Sequence, residues 1–342
     1  MKYRITELLG DGISSELAAA VRTVVARLPV EIEFESVDLS LENRLARGMA
    51  LYDDAADCMH RNRFTLKYPT TTAKESPNAI LRQRCHFSVI HRPVATIPGV
   101  PTNFRGQLAL NIVRVATGGT YDDPGRGIGT EAAVSLRIVE RKPCWEAARY
   151  AFALSQRLGR SMTSASKHTI QRATDGLFET IASEVGRGFP DVLHQEELFD
   201  ALLAKIIMHP DRYSVVLVLN EYGDFLSDMA CGLIGSMGMG ASSSLSFDAQ
   251  GDVKLAMFDP AGGTAPDIAG KNLANPAAII LALAMLLTEI GEHELGLELE
   301  RSTLELIGRG VRTRDLNGQL STSEFAAAVG DELASRLTLA AW

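Results

Sequence analysis

Tyr213 to Asn220 reads YSVVLVLN, an unbroken apolar and largely β-branched run between polar ends. A strand that is apolar on both faces must be covered on both faces, and that is the condition of a parallel sheet flanked by helices. The rest of the chain supplies such covering. Tyr3 to Leu9 is short and apolar, GDG (Gly10 to Gly12) turns the chain, and Ser14 or Ser15 caps a helix running to Ala26. Val30 to Val37 alternates as a strand does. Further helices are predicted over Pro143–Leu158, Ile170–Val185, Pro276–Ile290, Leu295–Gly308 and after Ser321, with a strand over Met162–Ser166. The Gly-rich GSMGMG (Gly235 to Gly240) ends a helix, and the Pro/Gly cluster from Arg92 to Gly106 predicts a crossing between two lobes. Short strands alternating with helices make the expected class α/β with a parallel sheet.

A chain of 342 residues holds roughly two domains of ~150 residues. The dinucleotide fingerprint GxGxxG is missing. GDGISS does not match it, and GSMGMG follows a helical pattern instead of a strand, so a conventional Rossmann fold is not expected. Acidic residues outnumber basic ones, 42 to 34, for a net charge of −8. Such a chain is a poor general nucleic-acid binder, because neutralising phosphates takes a basic surface. Cys58, Cys85, Cys144 and Cys231 are far apart with no CxxC, which argues against a disulfide framework or zinc site and for a reducing cytoplasm. The first residues lack the apolar run of a signal peptide. The most apolar stretch, Pro276 to Leu287, is shorter than the ~20 residues of a membrane span. The expectation is a cytoplasmic protein with neither nucleic-acid nor membrane partners.

Charge is unevenly distributed. Arg61 to Arg114 contains nine basic residues and a single acid, Glu75. This stretch is either a solvated surface or a sink for a small polycarboxylate or phosphate, which arginine grips through its two-pronged fork. Opposite in character is the region of Asp200, Asp224 and Asp228. If the chain is helical there, Asp224 and Asp228 share one face with Cβ atoms about 5–6 Å apart. They also follow the buried strand, where α/β sheets place ligands. They read either as surface and capping aspartates or as hard oxygen ligands for Mg²⁺ or Mn²⁺. Tyr121, in the turn-like GGTYDDPG, and Lys167, at a strand-to-helix junction, are candidates for proton transfer or ordinary surface residues.

In chain order, these segments resemble the β-decarboxylating isocitrate and isopropylmalate dehydrogenases. GDGISSE is similar to the family's GDGIGPE, LKYPTTT to LKGPxTTP, and SPNAILRQR…HRP to SLNxxLRxx…xRP. VRVATGGTYDDPG resembles xRENTExxYxG, SKHTIQRATDGLF resembles KxNIxKxTxGxF, and NEYGDFLSD resembles NLYGDxLSD. FDPAGGTAPDIAGKNLANP is similar to FEPxHGSAPDIAGKxxANP, and DLNGQLSTSEF to the family's C-terminal segment. The resemblance implies an isopropylmalate dehydrogenase-like, two-lobed α/β fold with a discontinuous large domain. Residues 1–95 and 236–342 would form that domain on the cofactor side. Residues 96–235 would form the small domain, with the metal site and dimer interface. It also implies an NAD-dependent enzyme that oxidatively decarboxylates a 2-hydroxy acid with the help of Mg²⁺ or Mn²⁺.

Carried over by position, Arg82, Arg92 and Arg114 would hold substrate carboxylates, and Ser76 and Asn78 would meet the third arm. Tyr121 and Lys167 would transfer protons. Asp224 and Asp228, with Asp200 from the other subunit of a homodimer, would hold the metal, and Lys167 would also reach across the dimer. Thr71, Thr72, Gly263, Thr264, Ala265, Pro266, Asp267 and Asn275 would line the cofactor site. Asp267 at the adenosine ribose implies NAD over NADP. Ser76 and Asn78 favour an isocitrate-like acid or a phosphonate analogue, whereas Glu75 is a feature of isopropylmalate enzymes. An isopropylmalate-type enzyme and a non-catalytic, regulatory paralogue are the alternatives. Gly262, Thr169, Val115 to Gly118 and Tyr68 depart from the family pattern, with Tyr68 expected to add bulk beside the site.

Overall fold

The computed structural model describes residues 1–340. The strands are β1 (Lys2–Leu9), β2 (Glu31–Asp38), β3 (Phe64–Lys67), β4 (Val89–Ala95), β5 (Ala109–Val115), β6 (Arg126–Ile128), β7 (Ala132–Val134), β8 (Met162–Ser166), β9 (His194–Leu198), β10 (Val215–Val218), β11 (Ala241–Phe247) and β12 (Val253–Pro260). The helices are α1 (Ser14–Val25), α2 (Leu41–Arg47), α3 (Met49–Asn62), α4 (Pro77–Arg84), α5 (Arg141–Leu158), α6 (Thr174–Gly186), α7 (Phe199–Met208), α8 (Asn220–Ile234), α9 (Ala277–Glu289), α10 (His293–Gly308) and α11 (Thr322–Ala340). One ten-stranded sheet runs in the order β2-β1-β3-β12-β11-β4-β5-β10-β8-β9, and β6 and β7 make a separate hairpin.

The sheet is mixed, which corrects the expectation of a parallel one. Both ends are parallel, but the junctions β12/β11, β11/β4 and β4/β5 are antiparallel. The chain thus returns after α8 to insert β11 and β12 between β3 and β4. β12 shows the two-sided burial directly. Leu255 and Met257 join a core with Leu51, Tyr52 and Met59 of α3, while Ala256 and Phe258 join the other core with α9. All four residues of β10 are buried, as the apolar run requires, but the strand is shorter than YSVVLVLN because Asn220 already begins α8. The segment from Arg92 is not all crossing loop, since Arg92 to Ala95 lie in β4. α6 starts at Thr174 and not at Ile170. α8 ends as expected at the glycine-rich segment, with Gly235 at φ 114° as its C-cap. The four cysteines are buried and unpaired. Among the described residues, no helix is long and apolar enough to cross a membrane.

Candidate active site

β4 and β5 place two arginines on one face of the sheet. Arg92 lies opposite Ile112 and Arg114 opposite Ile90, so the two-residue offset keeps both side chains on the same side. α8 follows β10, the parallel neighbour of β5, and crosses over these arginines. Its Gly223 permits this crossing: a Cβ there would lie 2.6 Å from Arg114 Cβ. Arg114 donates through Nε to Asn220 Oδ1 (2.9 Å) and pairs through Nη1 with Asp224. Arg92 Nη1 lies 3.7 Å from Asp224 Oδ1 and 3.8 Å from Asp228 Oδ1, and donates to Ser227 Oγ (2.6 Å). Tyr121 donates its hydroxyl to Asp224 Oδ2 (3.1 Å) and is itself 48% exposed.

The electrostatics are those of an anion site with a carboxylate pair at its rim. Burial pushes the Arg82 guanidinium down to about 10, and Arg114 and Arg92 add to the effect. Burial likewise lowers Arg114. The Nε atoms of Arg82 and Arg92 are buried without a hydrogen-bond partner, as is Asn78 Oδ1. Such donors and acceptors are costly unless a ligand satisfies them. Burial pushes Asp224 up, but Arg114 and Arg92 outweigh it and leave the group below its ordinary value. Asp228 is raised by burial and by Asp224. Burial and the Asp224 charge raise the Tyr121 phenol. A cavity of about 830 Å³ opens beside this cluster, lined by Ser76, Arg82, Ser88, Thr117, Tyr121 and Asn220 among others.

Asp224 and Asp228 stand one helical turn apart, so the pair fits a hard cation as two oxygen donors. Asp200 does not join them within the chain. It accepts a hydrogen bond from Lys167 Nζ (2.7 Å) instead. Among the described residues, no three His, Cys, Asp or Glu side chains converge as a metal site, and no hydrogen bond or ion pair links Lys167 or Asp200 to Tyr121, Asp224 or Asp228.

Ser76 caps α4 by accepting from Ala79 N (3.4 Å). Glu75 accepts from the Tyr52 hydroxyl (3.0 Å). Tyr68 does not crowd the site: it is fully buried and donates to Glu7 Oε1 (3.2 Å), which corrects the expected bulk. Lys67, one of the nine basic residues of the Arg61 to Arg114 stretch, is buried beside it and donates to the Tyr68 carbonyl (3.0 Å). Burial pushes Lys67 down to about 8, with Asp259 opposing and Arg82 and Arg44 assisting. Nothing in the local sequence marks this lysine as buried.

The segments expected to line a cofactor meet at the GDG turn. Asp11 accepts from Thr71 N (2.7 Å), Leu41 N (2.6 Å) and Arg44 Nη2 (3.1 Å). Ile13 N donates to Thr264 O (3.0 Å), and Asp11 N donates to Pro69 O (2.8 Å). Thr72, Gly263, Pro266 and Asp267 are exposed, while Thr71, Thr264 and Ala265 are half-buried. No atom lies within 4 Å of a Cβ built at Gly262 or Gly263, so this strip borders open space. Asn275 donates to Asp315 Oδ2 (2.9 Å), which also accepts from Ser236 Oγ (2.6 Å). Lys271 donates to the Asp267 carbonyl (2.7 Å) and not to its carboxylate.

The mixed α/β sheet thus carries an arginine cluster that faces a carboxylate pair. Residues 4–329 match the isocitrate/isopropylmalate dehydrogenase family, and the chain belongs to it. It is 33% identical over 343 residues to isocitrate dehydrogenase [NAD] subunit 2, mitochondrial, of Kluyveromyces lactis, covering 97% of this chain and 91% of that protein. It is 31% identical over 336 residues to the 3-isopropylmalate dehydrogenase of Archaeoglobus fulgidus, covering 98% and 99%. The crystal structure of isocitrate dehydrogenase from Methylococcus capsulatus is similar with a TM-score of 0.89 at 32% identity, covering 97% of this chain and 99% of that one.

Proposed function

We propose that the chain catalyses NAD-dependent oxidative decarboxylation of an isocitrate-like 2-hydroxy polycarboxylate, or of its phosphonate analogue, to a 2-oxo acid and CO₂. The observation that carries this reading is the convergence of Arg82, Arg92 and Arg114, two of them with buried Nε atoms lacking partners. Ser76 at the cavity wall suits a polar third arm better than an isopropyl group. The hydrogen bond that Glu75 accepts from Tyr52 gives this acid a partner within the chain. The relatives' names, one an NAD isocitrate dehydrogenase and one a 3-isopropylmalate dehydrogenase, bracket the substrate class.

In this proposal the three arginines bind and orient the substrate carboxylates. Lys167 takes the 2-hydroxyl proton, and Tyr121 delivers a proton to carbon after CO₂ leaves. Asp224 and Asp228, with Asp200 of a second copy, would hold Mg²⁺ or Mn²⁺; when bound, it supplies Lewis acidity at the 2-hydroxyl and neighbouring carboxylate. NAD, bordered by Thr71, Thr72, Gly263 to Asp267 and Asn275, supplies the hydride acceptor. The pairing of Lys167 with Asp200, apart from the Tyr121 cluster, supports a homodimer with shared sites. Exposed Ile207 and Met208 of α7 and Phe225 of α8 support a packing face for the second copy. The large lobe of residues 1–95 and 236–342 and the small lobe of residues 96–235 complete the proposal. The test is NADH absorbance with Mg²⁺ and a panel of isocitrate, homoisocitrate, isopropylmalate, tartrate and phosphonomethyl acids. Turnover confined to isopropylmalate, or none on any acid, would overturn it.

A further inference from the structure

A buried charge network lies beneath the site and outside its ligand contacts. Glu221, the second residue of α8, is buried and ion-paired with Arg137. The same guanidinium donates to Asp175 Oδ1 from Nη2 (3.0 Å) and from Nε (3.2 Å), and lies 5.0 Å above the centre of the Tyr222 ring. Asp175 is fully buried, and its other oxygen accepts from Lys167 N (2.8 Å) and the Tyr222 hydroxyl (3.0 Å). One end of the network therefore holds the backbone of Lys167.

The other end holds the loop of Tyr121. Gly118 and Gly119 sit at φ 74° and 73°, a conformation that suits glycine. A Cβ on Gly119 would meet Glu221 Oε2 at 2.0 Å, so the carboxylate packs directly against that residue. Gly119 N donates to Ile138 O (2.6 Å) and Ile138 N donates back to Gly119 O (3.0 Å), which ties the loop to the residue after Arg137. Asn220 Nδ2 adds a bond to Gly118 O (2.9 Å). Tyr121 follows two residues later. Glu221 stands where the resembling motif NLYGDxLSD has leucine. A buried carboxylate persists only when paired, and here its partner is the one guanidinium that also reaches the Lys167 segment.

We infer that Arg137 and Glu221 are positioning residues that hold two proton-transfer segments of one chain, the Tyr121 loop of its own site and the Lys167 segment that reaches the site of the second copy. The inference rests on the proposed roles of Tyr121 and Lys167 in proton transfer. The test compares Arg137→Met, Glu221→Gln, Arg137→Lys and the double variant Arg137→Met/Glu221→Leu for kcat, KM and thermal midpoint. The double variant removes the Glu221 charge together with its partner but still leaves Asp175 without Arg137, so it regains only part of the stability that Arg137→Met loses. Its kcat stays low by about 10- to 100-fold, because misplacing a reacting group by an ångström has that effect. KM for the acid changes little, since the loss falls on the transition state. Arg137→Lys keeps the cation and recovers most of kcat. Recovery of kcat together with stability in the double variant would reduce the pair to a structural staple and overturn the inference. A second readout needs no turnover: 3-fluorotyrosine placed at position 121 reports its surroundings through the ¹⁹F signal at fixed pH. That signal shifts or broadens in Arg137→Met and returns in Arg137→Lys; an unchanged signal overturns the inference. If the unmodified protein turns over none of the acids, the functional reading fails, and the ¹⁹F comparison alone decides the positioning role.

Discussion

Replacing Gly12 with alanine tests whether the GDG turn sets the cofactor strip. Gly12 has φ +58°, and a methyl there would lie 2.0 Å from Thr264 O. Ordinary contact begins at 3.4 Å, so the carbonyl must retreat by 3.4 − 2.0 = 1.4 Å. That retreat breaks the Ile13 N to Thr264 O bond. A left-handed alanine costs about 1–2 kcal/mol, and the lost bond a further ~0.5–1.5 kcal/mol. Reduced freedom of the unfolded chain offsets about 0.4–1 kcal/mol. The net loss is about 0.5–3 kcal/mol. If about 1–2 kcal/mol of it appears as weaker cofactor binding, KM for NAD rises roughly 5- to 30-fold. NADH absorbance at saturating acid and Mg²⁺ measures KM, and urea unfolding measures stability. Gly159→Ala is the control, because Gly159 has φ +61° in the left-handed region with nothing within 4 Å. It pays the conformational penalty without moving Thr264. A Gly12→Ala protein with reduced stability but unchanged KM for NAD would refute the link between the turn and the cofactor.

Four further outcomes follow from the site and core. Asp224→Asn and Asp228→Asn each lower turnover by on the order of 10³-fold with unchanged circular dichroism; turnover that persists at this level without divalent cation contradicts the metal assignment. Mixing inactive Lys167→Ala and Tyr121→Phe proteins restores activity after subunits exchange, since each heterodimer holds one intact site and one doubly defective site; a verified heterodimer without activity rules out shared sites. Asp267→Lys shifts preference toward NADP, read as the ratio of kcat/KM values, and a wild type already preferring NADP removes the reading of that exposed carboxylate. Burial pushes His91 from 6.5 down to about 4, against a hydrogen bond to Asn111 and with Arg157 assisting. The unfolded chain therefore binds the proton more readily, so stability is full above pH 6.5 and falls toward pH 4, by up to about 3 kcal/mol. Urea midpoints from pH 7 to 4.5 should fall more steeply for wild type than for His91→Gln; equal slopes refute it.

What could be read in advance was whatever depends on residue type at fixed local spacing. Asp224 and Asp228 at a spacing of four do share a helix face, and the buried run before them does form a covered strand. The missed elements lack the periodicities that reveal a strand. β11 is ASSSLSF, buried almost throughout yet rich in serine, and Ser242 finds a long-range partner in Asp259 at 2.5 Å. β9, HQEEL, is a polar edge strand. β4 contains Pro93, which argues against a central strand. The structure shows how it is tolerated: β11 pairs with β4 only over Val89 to His91, so the ladder on that side has ended before the proline.

The same distinction governs the site. Arg82, Arg92 and Arg114 are conspicuous because an anion needs cations, whatever the tertiary arrangement. Which way Glu75 and Tyr68 point is decided by Tyr52 and Glu7, residues remote in the chain, and no local pattern encodes that choice. Asp11 is the sharper case. Its sequence context suggests only a turn, yet its carboxylate receives Leu41, Arg44 and Thr71 at once. A carboxylate that accepts backbone and guanidinium donors from distant segments fixes their separation more tightly than any one of those segments fixes itself. Residues that touch ligands are thus constrained by chemistry and visible one at a time, whereas residues that aim them are constrained by geometry and visible only after folding. Glu221 belongs to the second kind: only the approach of Arg137 and Gly119 gives it a place.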